Sequence, residues 1–157
     1  MQLNIKDLII DTSAIDNKKL LKAWNWLIPF ETEIAMITQT GDAFLIEKNN
    51  GSILFLDTLD GELEVLADSL ESFKQLLEDE EFVIDYFSCE LIAPLLHHQL
   101  PPNTVYGFKT PPVLGGEYHS DNLEIFDVEH HFSDMGMLWE EIGKINIDED
   151  VSDNKDE

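Results

Sequence analysis

Apolar residues recur along this chain at two different spacings, and the change comes near residue 30. Leu20, Leu21, Trp24, Leu27 and Ile28 fall three and four residues apart, the repeat of a helix with one buried face. Asp16 stands ahead of them as an N-cap, and Pro29 stands behind them as a stop. Trp24 and Trp26 do not share a face of such a helix, so one belongs in the core and the other at an edge or an interface. Short apolar runs follow at 34–38, 43–47 and 53–57, and then Leu63, Val65 and Ala67. Thr40-Gly41-Asp42, Asn49-Asn50-Gly51 and Asp60-Gly61 punctuate them. Asn-Gly and Asp-Gly supply the positive φ that tight hairpin turns need, so the segment predicts a four-stranded antiparallel meander. In Glu62-Leu63-Glu64-Val65 the alternation sets carboxylates opposite the apolar positions, a row of negative charge facing solvent.

Helical spacing then returns. Asp68 or Ser69 caps a helix that buries Phe73, Leu76 and Leu77. Glu78-Asp79-Glu80-Glu81 leads into a second helical stretch over 82–98, where the acids favour the positive end of its dipole and Pro94 kinks or ends it near Ala93. Pro101-Pro102-Asn103 is a turn. The stretch 106–116 holds too much Pro and Gly to be a regular central strand. Leu123, Ile125 and Phe126 add a short strand, and a last amphipathic helix over 128–145 carries Met135, Leu138, Trp139 and Ile142. The residues from Asp148 on are acidic without apolar periodicity and are expected to be disordered.

The fold expected is α+β, an antiparallel meander with helices packed against it in one compact unit. Residues 1–147 form the domain, with helix and meander over 1–67, a mainly helical part over 68–147, and a tail over 148–157. A chain of 157 residues suits one such core. Its start lacks the basic and apolar regions of an export signal, and no apolar run nears the roughly 20 residues that span a bilayer, so a cytoplasmic location is expected. One cysteine, Cys89, allows no internal disulfide.

Charge changes the picture most. The net formal charge is −24, of which residues 1–56 carry −2 and residues 57–157 carry −22. All nine basic residues are lysine, and arginine, the usual grip for phosphate, is absent. Nucleic acids and anionic membranes are thereby excluded as partners, and a basic protein is favoured.

Catalytic patterns are weak. Gly115-Gly116 lacks the Gly-Lys-Ser/Thr ending of a phosphate loop. Cys89 lies among apolar residues and reads as structural. His97 and His98 are adjacent, so on a helix they diverge by about 100°. His119, His130 and Asp134 could be drawn together around zinc or manganese, but no His-Glu-x-x-His pattern supports this. Surface histidines paired with carboxylates, and titrating high, are the simpler reading. No cofactor or catalytic residue is assigned.

Two stretches carry a likeness to a known family: Tyr106-Gly107-Phe108-Lys109-Thr110-Pro111-Pro112-Val113-Leu114-Gly115-Gly116-Glu117-Tyr118, and, after Asn122, Glu129-His130-His131-Phe132-Ser133-Asp134-Met135-Gly136. They resemble the C-terminal domain of type VI secretion immunity proteins that protect against DNase toxins. The first half, with its Trp-bearing helix and Gly-punctuated meander, resembles the GAD-like part that commonly precedes that domain. The resemblance implies a cytoplasmic antitoxin that binds a cognate nuclease and has no catalysis of its own. The motif of Tyr106, Gly107, Phe108, Pro111, Pro112, Gly115 and Gly116 reads as structural, with a recognition loop as the alternative. The candidate partner-binding surface is Asp57, Asp60, Glu62, Glu64, Asp68 and Glu71 with Glu78, Asp79, Glu80 and Glu81, anchored by Trp26 or Tyr86. A non-catalytic adaptor on the same fold, and a histidine-based metal hydrolase, are the alternatives.

Self-repulsion at this charge is relieved by screening, so the melting temperature is expected to rise by several degrees between low and moderate salt. Thermal denaturation followed by circular dichroism at two salt concentrations checks this, and an unchanged midpoint would mean the acids are already neutralised by packing.

Overall fold

The computed structural model describes residues 4–155, with side chains described from residue 4 to residue 144. The first helix begins as expected and then tightens. The Asp16 carboxylate accepts from the backbone N–H groups of Lys18 and Lys19, capping α1 (Asn17–Leu20). A 3-10 turn, Lys22–Trp24, replaces the further turns. Leu20, Leu21, Trp24 and Ile28 are still buried together.

The meander forms in sequence order: β1 (Thr32–Ile37), β2 (Ala43–Glu47), β3 (Ile53–Asp57) and β4 (Glu62–Ala67), each antiparallel to the next. Gly41, Gly51 and Gly61 take φ of +79°, +76° and +67° in its three turns. Both faces of the sheet are covered, which is why β2 and β3 are apolar at nearly every position. Phe44, Ile53 and Phe55 point to one side, and Ala43, Leu45, Leu54 and Leu56 to the other.

The first side is closed by α2 (Leu70–Leu76), α3 (Glu80–Tyr86) and α4 (Cys89–Ile92). Phe44 anchors that layer, with ring centroids of Phe55, Phe73 and Phe87 at 4.9, 5.2 and 5.1 Å. Ser69, not Asp68, caps α2 by accepting from the Ser72 N–H, and Asp79 caps α3. The single helix expected over 82–98 is broken at Ser88, which sits in the left-handed region at φ 53°, before the proline expected to end it. The break turns the chain so that Phe87, Cys89, Leu91 and Ile92 all reach the core. Pro94 then lies in a short 3-10 turn, Ala93–Leu95.

The motif stretch begins as a strand after all. β5 (Thr104–Phe108) pairs with β6 (Leu123–Asp127) in a two-stranded ribbon outside the main sheet, so its glycine and the following prolines interrupt no central ladder. Gly107 is required there, because a Cβ would come 2.7 Å from the Phe126 ring and 3.0 Å from His131 Nδ1. β5 spans both cores, with Val105 in one and Tyr106 in the other.

The last helix, α5 (Val128–Lys155), covers the second face of the sheet through Val128 and Phe132. The acidic stretch 148–157, expected to be disordered, lies outside the residues whose side chains are described, although the bounds of α5 take in part of it. Among the described residues no helix is long and apolar enough to cross a membrane.

α5 is bound to the N-terminal half by side chains donating to backbone oxygens. Trp24 Nε1 donates to Phe132 O at 2.8 Å and Trp26 Nε1 to Gly136 O at 3.2 Å. Trp24 is the core tryptophan and Trp26 the edge one, 39% exposed, with the two rings stacked at 5.8 Å. In return Trp139 Nε1 donates to Thr58 O at 3.1 Å.

Two glycines of α5 give opposite predictions for one substitution. A Cβ on Gly136 would lie 2.7 Å from Ala23 O and 2.8 Å from Ala23 Cβ, whereas one on Gly143 meets nothing within 4 Å. Gly136→Ala is therefore expected to destabilise by about 1–3 kcal/mol through overpacking, and Gly143→Ala to stabilise by up to about 1 kcal/mol through helix propensity. Urea midpoints of the two variants check both signs.

Candidate functional site

The acidic positions do not form one continuous face. β3 and β4 bring Asp57, Glu62 and Glu64 together, since Asp57 pairs with Glu62 and Phe55 with Glu64 across the ladder. The last turn of α3 adds Asp85 and Tyr86. These residues and Phe55 line an open groove of about 320 Å³. Asp85 is the member that spacing along the chain does not reveal; it lies on α3 beside Tyr86, and only the docking of α3 on the sheet puts it in the groove.

Tyr86, Glu64 and Asp57 are held in place. The Tyr86 hydroxyl donates to Glu64, 2.9 and 2.8 Å from its two carboxylate oxygens. Its ring stacks on Phe82 at 4.4 Å and meets Phe55 edge-on at 5.0 Å. Burial first, and then the bond to Glu64, push the Tyr86 phenol up to about 12. Asp57 accepts from the N–H groups of Leu59 and Asp60, both at 3.0 Å, and so builds the β3–β4 turn. Partial burial raises its carboxyl to about 6 despite those bonds. No lysine among the described residues forms an ion pair with any of these carboxylates.

The other candidate positions lie apart from the groove or serve the helices. Asp60 is exposed in the turn. Asp68 accepts from the Ser72 hydroxyl, and Glu71 sits in the first turn of α2. Glu78 follows α2, while Asp79, Glu80 and Glu81 cap and open α3. That end of α3 is about two turns from Tyr86, roughly 9 Å along the axis. Trp26 belongs to the seam with α5, away from Tyr86.

Behind the groove lies a buried polar network with no signature in the sequence. Asp42 Oδ1 accepts from Thr58 N at 2.8 Å and lies 2.9 Å from Thr58 Oγ1. His131 Nε2 lies 3.0 Å from Gly41 O and 3.2 Å from Thr58 Oγ1. Glycine is the only residue type that fits at position 41, since a Cβ would run into the His131 ring. Burial raises Asp42 to about 7, with the neighbouring Asp57 adding to the rise. Burial also lowers His131 to about 4, so it is a neutral donor to the Gly41 carbonyl, contrary to the high titration expected of the histidines.

The histidines do not assemble as ligands. His119 lies 3.5 Å from Asp121, and His130 Nε2 lies 2.9 Å from Asp134 on the adjacent turn of α5. His97 and His98 lie with ring centroids 4.0 Å apart, tilted by 41°, beside an open cavity of about 770 Å³ between the N-terminal stretch and residues 96–103. Among the described residues no three His, Cys, Asp or Glu side chains gather as a metal site. Cys89 is buried, and burial raises its thiol above the ordinary value, which suits packing rather than nucleophilic attack.

The motif loop folds back on its own ribbon. The Tyr118 ring packs against Phe108, with centroids 5.8 Å apart and tilted by 35°. Its phenol is raised by burial, with the Ser88 hydroxyl lowering it and Asp42, Asp57 and Asp60 raising it. Tyr106 is buried and Phe108 half-buried, as an inward-packing motif requires.

Residues 67–137, from the end of β4 into α5, match the family model described as T6SS immunity protein Tdi1, C-terminal. This agrees with the likeness carried by the Tyr106–Gly116 and Glu129–Gly136 stretches and supports a type VI secretion immunity function. The match does not reach the Trp-bearing segment or the first three strands, so the GAD-like likeness of that part is not confirmed. No curated protein matches the chain.

The buried groups fix how stability changes with pH. Asp42 and Asp57 titrate above the ordinary 3.8, so from about pH 4 to 6 the folded chain holds two protons that the unfolded chain has shed. His131, lowered from 6.5, lacks one that the unfolded chain carries. The folded state binds the net excess, so stability falls as pH rises, by on the order of 2 kcal/mol between pH 5 and 7.5. Asp42→Asn keeps an oxygen for the Thr58 N–H and should flatten that fall. Chemical denaturation across this range checks it, and stability rising through the window would contradict the assignment.

Proposed function

Taking residues 67–137 as a type VI secretion immunity domain, we propose that the chain binds a basic toxin, a nuclease domain, and neutralises it by direct contact. The observation that carries this is the groove of Asp57, Glu62, Glu64 and Asp85 around Tyr86, four carboxylates with no lysine paired to them among the described residues. Converging like charges raise the free energy of the isolated protein. A cationic surface lowers it on binding, and that difference favours association with a basic partner over a neutral one. A nuclease holds phosphates with lysine and arginine, so the surface that an acidic groove fits best is the one through which the toxin would hold its substrate.

Tyr86 gives the groove a fixed floor. With the phenol tied to Glu64 and the ring stacked on Phe82, little side-chain freedom remains to be lost on binding. No catalytic step is needed for this role. The charge of −22 over residues 57–157 extends the attraction beyond the contact area, which suits a protein that must reach its toxin before the toxin reaches DNA.

Co-expression with a secreted nuclease toxin encoded beside the gene tests the reading: cells should survive, and death despite abundant folded protein would sink it. The groove's share is measured separately. The double variant Glu62→Gln, Glu64→Gln should slow association with the toxin about tenfold at low salt and reduce the salt dependence of the rate. The amide oxygen introduced by Glu64→Gln can still accept from Tyr86, so the fold should be unaffected. An association rate and salt dependence equal to the wild type would remove the groove from the interface.

A further inference from the structure

We propose that the loop 109–122, between β5 and β6, is the apolar anchor of the same interface, and that Val113, Leu114 and Tyr118 enter an apolar pocket on the toxin edged by lysine or arginine. The inference rests on the toxin-binding reading and adds to it the surface that would hold the complex once charge has brought it together.

The loop is long for a ribbon connection, with two short 3-10 turns, Pro112–Leu114 and Ser120–Asn122, as its regular structure, and long ordered loops of this kind often serve a function. Its apolar side chains face outward: Val113 is 41% exposed, Leu114 59% and Tyr118 56%. Yet the backbone beneath them is pinned. Asn122 Nδ2 donates to Thr110 O at 2.8 Å and Glu117 O at 2.9 Å, and Asn122 Oδ1 accepts from Thr110 N at 3.2 Å. Leu114, Gly115 and Gly116 return their N–H groups to Pro111 O, Pro112 O and Pro111 O. Gly116 is pressed onto Thr110 O so closely that no Cβ could be added. Gly115, at φ +99°, ends the turn with open space beside it.

A loop fixed this firmly loses little entropy on binding, and its exposed leucine and tyrosine gain free energy only when something covers them. The core gains nothing from Leu114. The motif is therefore structural in its backbone and recognitional at its tip.

Charge selects the occupant. A second copy of this chain would bring another −24 against the first, so self-association at this loop is opposed. Glu117 and Asp121, both exposed, flank Tyr118 in the loop itself, so carboxylates edge its apolar tip. A basic protein with an apolar centre matches both.

The test compares the wild type, the double variant Val113→Ser, Leu114→Ser and the single variant Tyr118→Ser against the purified toxin domain by surface-immobilised kinetics, with urea midpoints confirming that each exposed change leaves the fold intact. Affinity should fall about 30-fold in the double variant, almost wholly through faster dissociation, with association and its salt dependence unchanged. Unchanged dissociation in both variants, with the wild type still binding, overturns the loop's role and leaves the immunity reading standing. A wild type that does not bind removes that reading and this inference with it. A wild-type dimer in sedimentation that the double variant dissolves assigns the loop to self-association and overturns the proposal.

Discussion

Trp24 donates its indole N–H to the carbonyl of Phe132 inside the second core, and the placement of the candidate site follows from that bond. With Trp24 fully buried and Phe132 against it, α5 has one rotational setting on the sheet. That setting brings His131 under Gly41 and Trp139 against Gly61. Trp139 then donates to Thr58 O, which holds the β3–β4 turn. The turn fixes Asp57, and Asp57 with its ladder partner Glu62 forms one wall of the groove. The groove therefore depends on a helix that contributes none of its lining residues.

The buried network behind the groove works against simple stability. A carboxylate at Asp42 costs free energy unless it is protonated or fully hydrogen-bonded, and its bonds to Thr58 satisfy it only in part. What the chain gains is a fixed junction. Thr58, Gly41 and His131 meet where β1–β2, β3–β4 and α5 converge, so the two faces of the molecule are referenced to one point.

Much of this fold could be read from local rules. The meander was legible because Gly41, Gly51 and Gly61 mark turns whose φ other residues rarely adopt. Asp16 and Ser69 were legible as caps because capping is a matter of the next three residues. The break at Ser88 was not, since nothing nearby forbids a helix; burying Phe87, Cys89 and Leu91 together decides it. The strand Thr104–Phe108 was hidden by its glycine, whose reason is the distant Phe126 and His131 rings. At the candidate site the glutamates of β4 and Tyr86 were legible as residue types. Asp85 and the Asp42–His131 network were not, because tertiary docking makes them neighbours. Trp26 was legible as an edge residue from spacing alone, but the bond from its N–H to Gly136 O was not, because only the docking of α5 makes them neighbours.

The seam between the N-terminal half and α5 has a consequence for how such a chain can evolve. Four of its cross-bonds end on backbone oxygens, those of Phe132, Gly136, Gly41 and Thr58. A carbonyl is present whatever side chain a position carries, so the accepting partner need not co-vary with its donor. The restrictions left are steric, at Gly41 and Gly136, and compositional, in the donors Trp24, Trp26, His131 and Trp139. The two halves can thus drift in sequence at different rates and still close on each other. A lineage under pressure to follow a changing partner can rewrite its outer loop and acidic strand without renegotiating its core.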